Sequence, residues 1–497
     1  MKRIGSSIEG ATGRTAPVFD PATGTQTAEV VLASRRDVDA TVAASLAAWE
    51  GWRDTSLTAR SRVLFAFREL ADRYRDDLAR LITAEHGKVA EDARGEVARG
   101  IEVVEFACGI PHLLKGEFSE DVSSGVDASS MRQPLGVVVG ITPFNFPVMV
   151  PMWMYPVAIA CGNTFILKPS ERDPSPSVLI AELWSDAGLP DGVFSVVNGD
   201  AVAVDALVDH PDVAAVSFVG STPVARHVFE RATVSGARIQ ALGGAKNHAV
   251  VMADADVDAT ADALVAAGYG SAGERCMAIS AVVVVGDGDP LVRALGDRAM
   301  ALTTGPGTDP ASDMGPLITE AHRHRVAGYL ASAEREGAEV VVDGREVKVP
   351  GHDQGFFLGP SLVDRVTPTM GVYRDEIFGP VLAVLRVDDL SQAIDLVNDN
   401  PYGNGAAIFT RDGGAARRFR RDVQVGMVGI NVAIPVPMAY YSFGGWKQSL
   451  FGDAHIHGME GVRFYTRLKS VSTRWPEATP GGESPSAALH FPSGDNR

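Results

Sequence analysis

Apolar residues recur at three- and four-residue steps from Arg36 to about Lys88: Leu46, Trp49 and Trp52, then Leu64, Phe67, Leu70, Tyr74 and Leu78. That spacing predicts amphipathic helix, and Gly87 supplies a stop. A second helical stretch runs from Glu91 to about Phe106, with Arg99 near its middle. Between about Gly116 and Gly136 the texture turns polar around Ser123-Ser124-Gly125, which predicts a hairpin. Beyond it, apolar β-type runs fall at Gly136–Ile141, Thr164–Lys168, Phe194–Val197, Val213–Val219 and Ala237–Leu242, separated by helix-like segments. Strand and helix alternating at this spacing imply right-handed crossovers and a parallel sheet covered on both faces.

A second α/β unit follows, with candidate strands Ala281–Val285, Glu339–Val342, Val381–Leu385, Gly405–Thr410 and Met427–Asn431. The segment Arg463–Trp475 alternates as a late strand would. Past Pro476 the chain is rich in Pro, Gly and Ser and reads as a loose tail. The longest apolar run, Phe146 to Cys161, is too short to span a bilayer and contains Pro147, Pro151 and Pro156. It is read as buried helix and loop.

Composition narrows the classes. The 497 residues are 45% hydrophobic, enough for two or more cores. Sixty-two acidic against 45 basic side chains give a formal charge of −17, which argues against a nucleic-acid surface. The three cysteines, Cys108, Cys161 and Cys276, lie far apart and in no C-x-x-C pattern. Neither a disulfide framework nor a zinc site is expected, and a reducing compartment fits. No apolar signal core follows Lys2 and Arg3, so the expected location is the cytoplasm, without membrane attachment.

One motif is rejected. Gly268-Tyr-Gly270-Ser-Ala-Gly273 fits G-x-G-x-x-G, but a helical segment precedes it and a strand follows, the reverse of a dinucleotide fingerprint. Its glycines instead let the backbone turn and expose Cys276. Three other segments carry candidate chemistry. After the strand Val213–Val219, Gly220, Ser221, Thr222 and Pro223 open a helix, either an ordinary capped one or a receiver for a pyrophosphate. Lys168 and Glu171 fall at a strand's carboxyl edge, as solvated loop residues or as ribose contacts that favour NAD over NADP. Cys276 is either a small buried hydrophobe, as Cys108 and Cys161 are read, or a nucleophile whose thiolate the adjacent Arg275 favours.

Taken together, and in order along nearly the whole chain, these segments resemble the aldehyde dehydrogenase superfamily. Thr142-Pro143-Phe144-Asn145-Phe146-Pro147 resembles its oxyanion segment, and Lys168-Pro169-Ser170-Glu171 its ribose-binding element. Phe218-Val219-Gly220-Ser221 is similar to its phosphate turn, and Gly273-Glu274-Arg275-Cys276 to its nucleophile loop. Glu376-Ile377-Phe378-Gly379-Pro380 resembles the motif whose glutamate binds the nicotinamide ribose. Arg275, Ala245-Lys246-Asn247-His248, Ile434-Pro-Val-Pro-Met438, Gly444-Gly-Trp-Lys447, Phe451-Gly-Asp453 and Gly461-Val-Arg-Phe-Tyr-Thr466 are similar to its methylmalonate-semialdehyde branch. Glu274 stands where that branch more often has Gln, and Ala241 stands at the place of the glutamate that activates water elsewhere in the family.

The resemblance implies an α/β aldehyde dehydrogenase-like fold with a Rossmann-type NAD-binding domain (1–115 and 136–243) and an α/β catalytic domain (244–460). A small β oligomerisation element (116–135 and 461–475) and a flexible tail (476–497) complete it. It implies Cys276 as nucleophile, Asn145 as oxyanion donor, and Phe144, Lys168, Glu171, Gly220, Ser221, Glu376 and Phe378 around NAD. Arg99 and Arg275 become candidates for a substrate carboxylate, coenzyme A becomes the acyl acceptor, and a homo-oligomer, dimer or tetramer, is expected. The rival readings are an enzyme that hydrolyses its acyl intermediate or takes another carboxylated aldehyde, and a non-catalytic relative.

Overall fold

The computed structural model describes residues 2–5, 13–123 and 125–475. The long helical pattern at the start is three helices, Arg35–Asp54, Leu57–Arg73 and Arg75–His86, followed by Ala90–Cys108. The first break falls where Ser56 turns out of the helix and its hydroxyl accepts from the Ala59 N–H, capping the next one. The apolar periodicity passes through both breaks because the helices share one buried face, with Trp52, Leu64, Phe67 and Leu78 in a single cluster. Gly87 ends the third helix in the left-handed region.

Five parallel strands and one antiparallel edge form the first sheet. Its order is Leu450–Phe451, Arg238–Leu242, Val213–Val219, Val137–Ile141, Thr164–Lys168, Phe194–Val196. The strand order reverses direction between Val137–Ile141 and Val213–Val219, and a crevice opens at the carboxyl ends of such a pair. The proline-rich apolar run is the helix Met149–Ala160, every residue of it buried against one face of this sheet.

The second sheet has seven strands in the order Glu339–Val342, Ser361–Asp364, Val381–Val387, Ile279–Val285, Asn247–Val251, Gly405–Phe409, Met427–Ile430. All are parallel except the first pair. Thr466–Arg474 pairs along its whole length with Val126–Pro134, which also pairs with Phe118–Ser123.

Several elements differ from the sequence pattern. The strands Thr15–Asp20, Thr25–Val31, Asn247–Val251 and Ser361–Asp364 carried no recognisable signal. Asn247 and His248 are polar yet fully buried, and His248 Nε2 is matched by the Tyr373 hydroxyl at 2.9 Å, so tertiary partners override the polar pattern. Arg463 and Phe464 belong to the helix Gly458–Phe464 rather than to the late strand. Leu450–Phe451 returns to the first sheet, opposite Ala241 and Leu242, although it lies in the segment expected to form the second unit. Ser124 and the tail from residue 476 lie outside the described residues. No helix among the described residues is long and apolar enough to cross a membrane.

Candidate active site

Loops from the carboxyl edge of the first sheet meet loops from the amino edge of the second. Phe144 and Asn145 follow the strand ending at Ile141; Gly220 and Ser221 follow Val219; Gly243 and Gly244 follow Leu242. From the other side, Cys276 precedes Ile279, Glu376 and Phe378 precede Val381, and Tyr402 precedes Gly405. All of these residues line one cavity of about 520 Å³. The chain passes from Leu242 to Asn247 with only four residues between the sheets, which fixes the two edges against each other.

The loop before Cys276 is strained. Ser271 and Ala272 both adopt left-handed φ values of 53°, and Gly273 follows at 70°, where a Cβ would run into the Gly379 carbonyl. The turn is anchored from behind: the Cys276 carbonyl accepts from Asn247 Nδ2 at 2.9 Å and from Asn404 Nδ2 at 3.0 Å. Burial pushes the Cys276 thiol up to about 12, and the Glu376 carboxylate adds to the effect. Main-chain hydrogen bonds and Arg275 pull the other way and lose.

This corrects the expectation that Arg275 holds the thiol low. The guanidinium turns away, donates to Asp92 Oδ2 at 2.6 Å and lines a separate cavity with Asp92, Tyr269 and Met314. A cation already paired with a carboxylate offers little field to a neighbouring sulfur. Glu274 faces a third direction, fully buried near His86 and His322, and burial raises its carboxyl well above the usual range.

Asn145 is 3% exposed, and its Nδ2 donates to the Glu274 carbonyl at 2.9 Å, at the base of the nucleophile loop. Glu376 Oε1 accepts from the Ala245 N–H at 2.9 Å. Burial raises the Glu376 carboxyl to about 7, against the lowering effect of that N–H and of Lys246. Lys246 is itself buried, lowered to about 8, and donates to the carbonyls of Val372 and Asp375. Phe378 has a φ of 60° and packs edge-on against Phe144.

On the first sheet, Ser221 caps the helix Thr222–Ser235 without spending its hydroxyl on a cap hydrogen bond, and Pro223 sits in the first turn. This helix start, with free N–H groups and the positive dipole end, borders the cavity as a phosphate requires. Lys168 ends its strand at the same sheet edge, and its Nζ lies 3.3 Å from Glu171 Oε2, outside the cavity lining. Thr222, part of the predicted helix start, lines the cavity too, and so do His322, Arg325, Tyr329, Asp375 and Tyr402, which escaped the sequence reading. No local pattern marks them; His322 and Arg325 look like any polar face of an exposed helix. Burial lowers His322 to about 4, so it is neutral at neutral pH.

Ala241, near the end of the strand Arg238–Leu242, is fully buried with Val139, Ile141 and Phe218 and offers no proton acceptor. One further residue departs from expectation. Arg99 lies outside the cavity, donating to Glu102 at 2.7 Å and to the Pro437 carbonyl at 3.0 Å.

The family model described as "Aldehyde dehydrogenase family" matches residues 8–471. The chain belongs to the aldehyde dehydrogenase family. It is 57% identical to the malonate-semialdehyde dehydrogenase of Pseudomonas aeruginosa over 94% of each chain. It is 47% identical to the acylating, mitochondrial methylmalonate-semialdehyde dehydrogenase of Arabidopsis thaliana, covering 95% of this chain and 78% of that one. The crystal structure of methylmalonate-semialdehyde dehydrogenase from Oceanimonas doudoroffii superposes with a TM-score of 0.95 at 55% identity, covering 96% of this chain and 99% of the other. A Sinorhizobium meliloti 1021 crystal structure complexed with NAD gives the same TM-score and coverage at 50% identity.

Proposed function

We propose that the protein oxidises malonate semialdehyde and its methyl homologue, with NAD as hydride acceptor and coenzyme A as acyl acceptor. The observation that carries this reading is one cavity lined by Cys276, Asn145 and Glu376, with Ala241, which cannot take a proton, at the place of the family's water-activating glutamate. The high identity to semialdehyde dehydrogenases supports the substrate.

Cys276 gives up its proton to water and attacks the aldehyde carbon as the thiolate. The Asn145 amide, turned from the Glu274 carbonyl, and the Cys276 N–H hold the oxyanion of the thiohemiacetal. NAD, when bound, supplies the hydride acceptor; the helix start at Ser221 holds its phosphates, Lys168 and Glu171 one ribose, and Glu376 the other, with Phe144 and Phe378 bordering the ring. Loss of hydride from the reacting carbon leaves a thioester on Cys276. A β-carboxylate on that acyl group departs as carbon dioxide, its electron pair settles on the thioester oxygen beside the same donors, and the α-carbon of this enolate then takes up a proton from water. The thiol of coenzyme A then takes the acyl group and frees Cys276.

In an NADH assay without coenzyme A, the enzyme should stop after about one NADH per active site; adding coenzyme A should restore turnover and give an acyl-CoA one carbon shorter than the substrate. Sustained NADH formation with release of a free acid would favour the hydrolytic alternative instead.

For the carboxylate of the substrate we infer Arg275 and Arg99. Arg275 directly precedes Cys276, and its acidic partner Asp92 is partly exposed and replaceable by another carboxylate. The Arg275→Ala variant should raise KM for malonate semialdehyde roughly tenfold or more and leave that for propanal nearly unchanged. Equal changes for both aldehydes would remove the assignment.

The late sheet leaves Phe118, Val122 and Leu468 exposed, which supports a homo-oligomer, dimer or tetramer, built through it. A reactive thiol among three unpaired cysteines supports a cytoplasmic setting.

A further inference from the structure

Lys88 and Glu96 form an ion pair with no exposed side-chain surface, at 2.6 Å. Burying two full charges is costly unless every polar atom is used. Here the atoms are used on a single stretch of backbone. Lys88 Nζ donates a second bond, at 2.7 Å, to the Asn145 carbonyl and sits 4.3 Å above the Phe146 ring. Glu96 Oε1 accepts from the Val148 N–H at 2.8 Å and from the Met149 N–H at 3.1 Å. The two N–H groups open the helix Met149–Ala160, where a carboxylate is favoured by the dipole. The pair therefore grips residues 145 to 149 at three main-chain atoms. That stretch is the loop carrying the Asn145 amide, and nothing else in it is held by a charged side chain among the described residues.

We propose that Lys88 and Glu96 are a positioning pair for the oxyanion donor. The lysine fixes the plane of the peptide after Asn145, the glutamate fixes the helix start, and the Asn145 Cα–Cβ bond is aimed between them. Neither side chain touches the reacting atoms. The inference rests on the reading of Asn145 given above. An amide that must swing from the Glu274 carbonyl to a developing oxyanion can do so at little cost only if its own backbone stays still.

Lys88→Met alone would leave the Glu96 charge buried without a partner and risks misfolding. The test therefore uses Lys88→Met combined with Glu96→Gln, which keeps the site neutral and lets the glutamine carbonyl accept from Val148. The readout is the pre-steady-state burst of NADH, which reports hydride transfer, together with NAD affinity and the rate of Cys276 alkylation by iodoacetamide. The burst should slow on the order of tenfold to a hundredfold, the range for losing part of one oxyanion donor, while NAD affinity and alkylation stay at the parent values. Lys88→Arg, which keeps the donor, should recover part of the loss.

Asn145→Ala distinguishes the two levels of the argument. Added to that variant, the double Lys88/Glu96 change should cost almost nothing more, because it acts through the missing amide. Multiplying losses, or a parent-like burst in the folded double variant, would overturn the positioning role. An Asn145→Ala variant with a normal burst would overturn the oxyanion reading itself.

Discussion

The Cys276→Ala variant should form no measurable NADH from any aldehyde, a loss on the order of 10⁴-fold or more as expected when a covalent nucleophile is removed, while still binding NAD. The sulfur lies in a half-buried turn on the cavity wall, and no second cysteine can replace it, since Cys108 and Cys161 are buried elsewhere, the latter with its thiol pushed up to about 12. The same geometry makes a prediction about ionisation. With burial and Glu376 raising the Cys276 thiol to about 12, the sulfur is protonated at neutral pH. Iodoacetamide labelling of the enzyme without NAD should then climb about tenfold per pH unit from neutral pH upward, because only thiolate reacts. A plateau near neutral pH would mean that a cation does reach the sulfur, as the sequence suggested of Arg275. The rate and its pH profile, read by mass spectrometry on the Cys276 peptide, decide between the two.

That contrast marks what a sequence can carry. Val213–Val219 followed by Gly220, Ser221 and Pro223 is a local statement: an apolar strand, a turn, a helix start, all within one stretch of chain. The fold bears it out because no distant residue has a say in it. The rejection of Gly268 to Gly273 as a phosphate loop holds for the same reason, since the helix Val257–Tyr269 precedes it and the strand Ile279–Val285 follows. The direction of a side chain is another matter. Arg275 is adjacent to Cys276 in sequence, yet Asp92, on a helix nearly two hundred residues away, decides where its charge goes. His322 and Arg325 join the cavity only because their helix packs beside the Glu376 loop, where Arg325 reaches the Ile377 carbonyl. Ala241 and Leu242 are neighbours on one strand, and successive strand residues face opposite sides. Leu242 therefore joins one core cluster and Ala241 another, which only the strand's place in the sheet decides.

The end of this strand also predicts where a hydrolytic function can be installed. By the resemblance, Ala241 stands at the place of the family's water-activating glutamate, two residues before Gly243 on the cavity wall, and its methyl group cannot take a proton. An Ala241→Glu variant supplies a carboxylate that can take a proton from water attacking the thioester. NADH formation without coenzyme A should then become continuous, rising on the order of a hundredfold over the parent's rate after its first turnover, the low end for general base catalysis. The product should be the free acid. Ala241 is fully buried among Val139, Ile141 and Phe218, so its replacement also costs stability, about 1–3 kcal/mol. Ala241→Gln carries much of the same cost without a base, and serves as the reference for rate and melting temperature. If the glutamate variant hydrolyses no faster than the glutamine one, the missing carboxylate at this position is not what keeps water from the acyl-enzyme. A result in the expected direction would tie the choice between water and a thiol acceptor to one side chain near the end of the strand Arg238–Leu242.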